Sequence, residues 1–161
     1  MQHKIAHHPD ACDCLVIGLS SDAPHPKWVD SLPSSVKHLI TKLTPRLTEA
    51  GDILTQSDTE CGTLILVQCG KESEFNLDAL SSRLGEIQTT LKKLKIKNAC
   101  VALPIVKGFT PNTQAEHLIL GFEHKNYQCQ TYKSKPKKEN LESIVWVVPK
   151  ADAHVVDVAL A

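Results

Sequence analysis

Leu77, Leu80, Leu84, Ile87, Leu91 and Leu94 recur at steps of three and four without a miss. That spacing places all six on one face of a helix. Two runs with no such period flank the stripe. Thr63-Leu64-Ile65-Leu66-Val67-Gln68-Cys69 before it and Ala99 to Val106 after it are short and apolar, the pattern of strands. The first run is almost continuously apolar, so both of its faces are expected to be covered. A strand, a long helix and a second strand make the crossover unit of parallel sheets, which points to layered α/β architectures.

The rest of the chain repeats this alternation. Cys14 to Leu19, closed by Ser20, Ser21 and Pro24, reads as an earlier buried strand. Val36, Leu39, Ile40, Leu43 and Leu47 then share a helical face behind Pro33, with a kink or restart at Thr44-Pro45 and a stop at Gly51. Asp52 to Gln56 is a short candidate strand. Asn76 can cap the long helix, and Lys92, Lys93, Lys95 and Lys97 crowd its carboxyl end, where cations favour the helix dipole. Thr110-Pro111 opens a third helix with Ala115, Leu118, Ile119 and Phe122 inward. A polar segment from Glu123 to Asn140 follows, with room for an edge strand. Leu141 to Val148 is the last strand, stopped by Pro149, and Asp152 to Ala161 begins a helix without a stop signal. These elements predict a three-layer α/β sandwich, with helices on both faces of a mixed, largely parallel sheet.

At 161 residues the chain makes one domain and needs no disulfide or metal to fold. Its cysteines (Cys12, Cys14, Cys61, Cys69, Cys100 and Cys129) are thinly spread and partly inside apolar runs, as reduced thiols of a cytoplasmic protein would be. The first thirteen residues are polar and His-rich, so they read as a flexible N-terminus and not as a secretory signal. No stretch reaches the roughly 18–20 apolar residues that span a bilayer. Lys plus Arg and Asp plus Glu both number 18, which argues against a dedicated nucleic-acid binder. The lysines at 92–97 and the run Lys133, Lys135, Lys137 and Lys138 keep weak nucleic-acid contact as a local alternative.

The sequence marks no catalytic, cofactor-binding or metal-binding residue. His7, His8, Cys12 and Cys14 are the one cluster resembling metal ligands, but one residue between the cysteines is shorter than the usual C-x₂₋₄-C spacing. No glycine-rich phosphate loop, G-x-S-x-G elbow or H-E-x-x-H motif occurs. Glu116-His117 and Glu123-His124 each lack the second histidine and are expected to face solvent. Cys61, in a loop before Gly62, is the best thiol nucleophile candidate, yet no partner base is marked.

One stretch carries a resemblance. Ala115-Glu116, Leu118, Leu120-Gly121-Phe122 and then Tyr132-Lys133-Ser134-Lys135-Pro136-Lys137-Lys138 is similar to the N-terminal domain of leucyl (cytosol) aminopeptidases. The early strand, Ala50-Gly51-Asp52 and the strand from Thr63 to Gly70 resemble that domain in place as well. The resemblance implies a macro-domain-like fold over residues 14–150, with 151–161 starting a linker helix to a catalytic domain. It implies a parent enzyme that removes N-terminal residues, leucine preferentially, using two divalent metals (zinc or manganese). The metal signature of that family, Asn-Thr-Asp-Ala-Glu-Gly-Arg, does not occur here, so no catalytic residue carries over. This segment would then hold no cofactor, and its partners would be its own catalytic domain and the sister subunits of a homo-hexamer. Some members of that family bind DNA. The alternative reading is a stand-alone macro-like module that binds a nucleotide or touches nucleic acid.

Overall fold

The computed structural model describes residues 1–9, 12–131 and 141–160. Among them are β1 (Gln2–Ala6), β2 (Cys14–Ser20), α1 (Ser34–Leu43), β3 (Ile53–Thr59), β4 (Gly62–Gly70), α2 (Leu77–Lys93), β5 (Asn98–Ala102), α3 (Pro111–Thr131), β6 (Ser143–Val147) and α4 (Val155–Ala159). The described strands form one six-stranded sheet in the order β1-β6-β5-β2-β4-β3. Every neighbouring pair is parallel except β3 with β4.

Period-two alternation divides the core. On β2, Cys14 and Val16 face one side, where α2 and α3 bring Leu80, Leu84, Ile87, Leu118 and Phe122. Leu15, Ile17 and Leu19 face the other, covered by Val36 and Ile40 of α1 and by Trp28 and Val29 of a short 3-10 turn at Lys27–Ser31. Covering on both sides explains the unbroken apolar run of β4, whose Leu64 to Cys69 are all buried. The three-layer mixed sandwich expected from the sequence is the fold observed.

Local signals set several boundaries. The Asn76 side chain accepts from the Ala79 N–H at 2.9 Å, which caps α2. Asn76→Ala should therefore cost about 1 kcal/mol, measured by urea denaturation. The Asp52 carboxylate accepts from the backbone N–H groups of Glu49 at 2.9 Å and Thr48 at 3.0 Å. Those donors, Glu49 first, hold its pKa below the ordinary value. A depressed carboxyl contributes stability that is present above the ordinary value of 3.8 and is lost as pH falls through the folded value. The melting temperatures of wild type and Asp52→Asn should accordingly converge as pH drops below 3.8, the wild type losing more.

Three expectations are corrected. The N-terminus is not flexible throughout: β1 pairs in parallel with β6, from Gln2↔Ser143 to Ala6↔Val147. Its inward residues are His3 and Ile5, so a histidine occupies a core position that apolar patterning passes over. The Trp146 indole N–H donates to His3 Nδ1 at 3.0 Å, and His3 Nε2 lies 2.5 Å from Glu123 Oε1. This makes Nδ1 the acceptor and Nε2 the donor, which satisfies both ring nitrogens of a residue 5% exposed. Glu123 thus pairs with β1 while its side chain stays partly in solvent, and Glu116 and His124 are exposed. The polar segment expected from Glu123 begins as helix and not as a separate element, because α3 runs on to Thr131. β5 ends at Ala102, short of the expected Val106, because Pro104 lacks the N–H a ladder needs. Residues 132–140, with Lys133, Lys135, Lys137, Lys138 and the edge strand expected there, lie outside the described residues.

Candidate functional site

In parallel α/β sheets, ligands favour the crevice outside the carboxyl ends of the strands, where the chain reverses its direction of winding across the sheet. Here that point lies at β2: from it the chain passes through α1 to β3 and β4 on one side, then through α2 to β5 on the other. A cavity of about 280 Å³ opens there, reached by Ser20, Ala102 and Val147 from the ends of β2, β5 and β6.

Close approach of backbone builds the crevice. A Cβ on Gly18 would stand 2.7 Å from Leu103 Cδ2 and 2.9 Å from Pro104 Cδ, so glycine is what lets the segment after β5 close over β2. Gln114 then fastens that segment: its Nε2 donates to the Pro104 carbonyl at 2.9 Å, and its Oε1 accepts from the Val106 N–H at 3.1 Å. It is fully buried on α3. On the opposite wall, the Glu72 N–H donates to Asp22 Oδ1 at 2.9 Å, holding the loop that carries Ala23 to Pro26. Trp28, 6% exposed, closes the base.

The lining chemistry limits what this crevice can do. Pro24, Pro26, Trp28, Leu103, Pro104 and Ile105 dominate it, and its ionisable side chains are His25 and Glu72. Without lysine or arginine in the lining, a diphosphate would find no cationic partner. A nucleophile held by a base is also missing from the lining. The arrangement suits a small uncharged group.

The residues singled out in the sequence do not gather here. The His7 imidazole reaches the Ala151 carbonyl at 3.2 Å. Cys14 is fully buried on the α2 side, its thiol pushed up to about 12 by burial and then by Cys100 and Asp13. Cys12 packs instead against the α1-side cluster, so the suspected ligands diverge across the sheet. Among the described residues no three His, Cys, Asp or Glu side chains converge on a point that could hold a metal. Cys61 is half-buried, and desolvation, then Glu60 and Cys100, raise its thiol, the reverse of what an activated nucleophile needs. His117 stacks on Phe109 with ring centroids 4.9 Å apart. Lys93, Lys95 and Lys97 are exposed at the end of α2, with Lys92 half-buried beside them. No described helix is long and apolar enough to cross a membrane.

Sequence reasoning missed Gln114 and His3. Gln114 did leave a signal: it stands four and eight residues before Leu118 and Phe122, on the inward stripe of α3.

Comparison with known proteins agrees with this placement. The profile of the cytosol aminopeptidase family, N-terminal domain, matches residues 40–136. A "Probable cytosol aminopeptidase" of Legionella pneumophila (strain Corby) is 33% identical over 164 aligned positions, covering all of this chain and 34% of the relative. The chain thus spans about a third of the length of the curated relatives it matches. Among solved structures, a tomato leucine aminopeptidase mutant superposes with a TM-score of 0.69 at 16% identity, over 99% of this chain and 35% of that one. A Trypanosoma brucei macrodomain superposes with a TM-score of 0.66 at 11% identity, over 94% of this chain and 62% of that one. The fold is therefore shared with macrodomains, while the sequence match is to peptidases: the chain belongs to the cytosol aminopeptidase family, of which it is an N-terminal domain.

Proposed function

We propose that this chain is the non-catalytic N-terminal domain of a two-metal aminopeptidase that removes N-terminal residues, leucine preferentially, from peptides. The observation that carries the reading is the coverage: the whole chain aligns to about a third of a cytosol aminopeptidase, while its described residues converge on no metal site. Zinc or manganese would be held by the catalytic domain, where it would activate water for peptide hydrolysis. The domain's part is assembly and restriction of access to a homo-hexamer in the cytoplasm. The lysines that end α2 supply at most weak phosphate contacts on a chain of zero net charge.

A chimera tests this reading. Placing the present chain over the matching third of the Legionella pneumophila relative exchanges no catalytic residue, so metal-dependent hydrolysis of leucine p-nitroanilide should persist, with kcat within about tenfold of the parent. A soluble, metal-loaded chimera of parental oligomeric state without turnover would overturn it.

A further inference from the structure

Two thiols meet where the segment before β2 passes β5. Cys100 is fully buried in β5, opposite Leu15, within the cluster that α1 covers. Cys12 packs against the same cluster, and its thiol is in hydrogen-bond contact with that of Cys100. Cys12 Sγ also lies 3.2 Å from the Cys14 carbonyl oxygen. Backbone bonds fix the frame around this contact: the Asp13 N–H donates to the Asn98 carbonyl at 3.1 Å, and the Thr63 N–H donates to the Asp13 carbonyl at 2.9 Å. One side of the pair is open. Cys12 lines a cavity of about 340 Å³ with Pro9, Leu32, Pro33 and Cys61, wide enough for a small oxidant to reach its sulfur.

We propose that Cys12 and Cys100 are a disulfide modification site, closed by a two-electron oxidant of the hydroperoxide class and reopened by thiols. The Cys12 thiolate attacks one peroxide oxygen; the O–O bond breaks, and the leaving oxygen takes a proton as alcohol or water. Cys12 is then a sulfenic acid. The Cys100 sulfur attacks it, the S–O bond breaks, and the hydroxyl leaves with the Cys100 proton as water. Two thiols lose two electrons and the peroxide gains two. Forming the bond brings the two sulfurs from hydrogen-bond contact to a length of ~2.05 Å. The product links residues 88 positions apart and ties the start of β2 to β5. Cys14 cannot compete for Cys100, because it faces the opposite side of the sheet. Cys61 lines the same cavity and is the competing partner.

The hydrogen bond that Cys12 donates to Cys100, then burial, holds Cys12 as the neutral thiol well above the ordinary range. Since the thiolate is the nucleophile, oxidation should quicken about tenfold for each pH unit raised above neutrality.

The test exposes the purified chain to hydrogen peroxide, blocks remaining thiols with N-ethylmaleimide and maps the digest by mass spectrometry. The expected product is one cross-linked peptide pair holding Cys12 and Cys100, lighter by two hydrogens and reopened by dithiothreitol. Cys61→Ser should leave its yield unchanged. Cys12→Ser and Cys100→Ala should abolish it, alanine keeping the core apolar where serine would burden folding. A Cys12–Cys61 link, or Cys12 driven to sulfinic acid while Cys100 stays fully alkylatable on unfolding, would overturn the proposal.

Discussion

Trp146→Ala should lower the stability of the domain by about 3–5 kcal/mol, the range for truncating a large buried aromatic. Trp146 is fully buried on β6, between β5 and the N-terminal strand β1. It meets Phe122 of α3 edge to face, with centroids 5.6 Å apart, and lies parallel to the His3 ring at 6.2 Å. Its loss opens a cavity at the junction of β1, β6 and α3, and it also leaves His3 Nδ1 without its donor. For a chain of this length each kcal/mol moves the melting temperature by roughly 2–4 °C, so a fall of about 6–20 °C is expected by calorimetry. Trp146→Phe separates the two terms. It keeps most of the volume but strips the donor, and should cost about 1–3 kcal/mol.

Gly62→Ala is the second large effect, through a different mechanism. Gly62 has φ +77°, in the left-handed region, and a Cβ there would stand 2.3 Å from the Asp13 carbonyl oxygen. Backbone cannot yield as a flexible side chain would. The same carbonyl accepts the Thr63 N–H that sets β4 against the start of β2, so the clash loosens a central pairing. Conformational strain of about 1–2 kcal/mol and overpacking of about 1–3 kcal/mol together predict a loss of about 2–5 kcal/mol. Gly108 is the internal control. It has φ +88° but nothing within 4 Å of a built Cβ, so Gly108→Ala should cost about 1 kcal/mol only, from the same denaturation measurement.

Most of the sandwich was legible because two periods could be told apart. The run before Gly70 and the leucine stripe after Asn76 leave little choice between strand and helix, and the Asn76 cap fell where its residue type indicates. β1 was hidden for a definable reason: with His3 in a core position, only Ile5 and Ala6 mark it as a strand. α3 beyond Phe122 was hidden because Glu123, His124 and Lys125 interrupt its apolar stripe, while the helix itself continues. The crevice was not legible at all. It is assembled from strand ends and loops far apart in sequence, and its fastener, Gln114, acts through backbone groups whose position only the fold determines.

The divergence of His7, Cys12 and Cys14 bears on function as well as on fold. Among the described residues no three acids, histidines or thiols gather to hold a metal that would activate water, so the non-catalytic reading is open to a direct test. The most direct measurement is hydrolysis of leucine p-nitroanilide by the purified 161-residue chain, with manganese or zinc supplied in excess. The account predicts no release above the metal-containing blank. Turnover that copurifies with the chain, depends on the added metal and tracks its concentration would contradict the assignment of a non-catalytic domain.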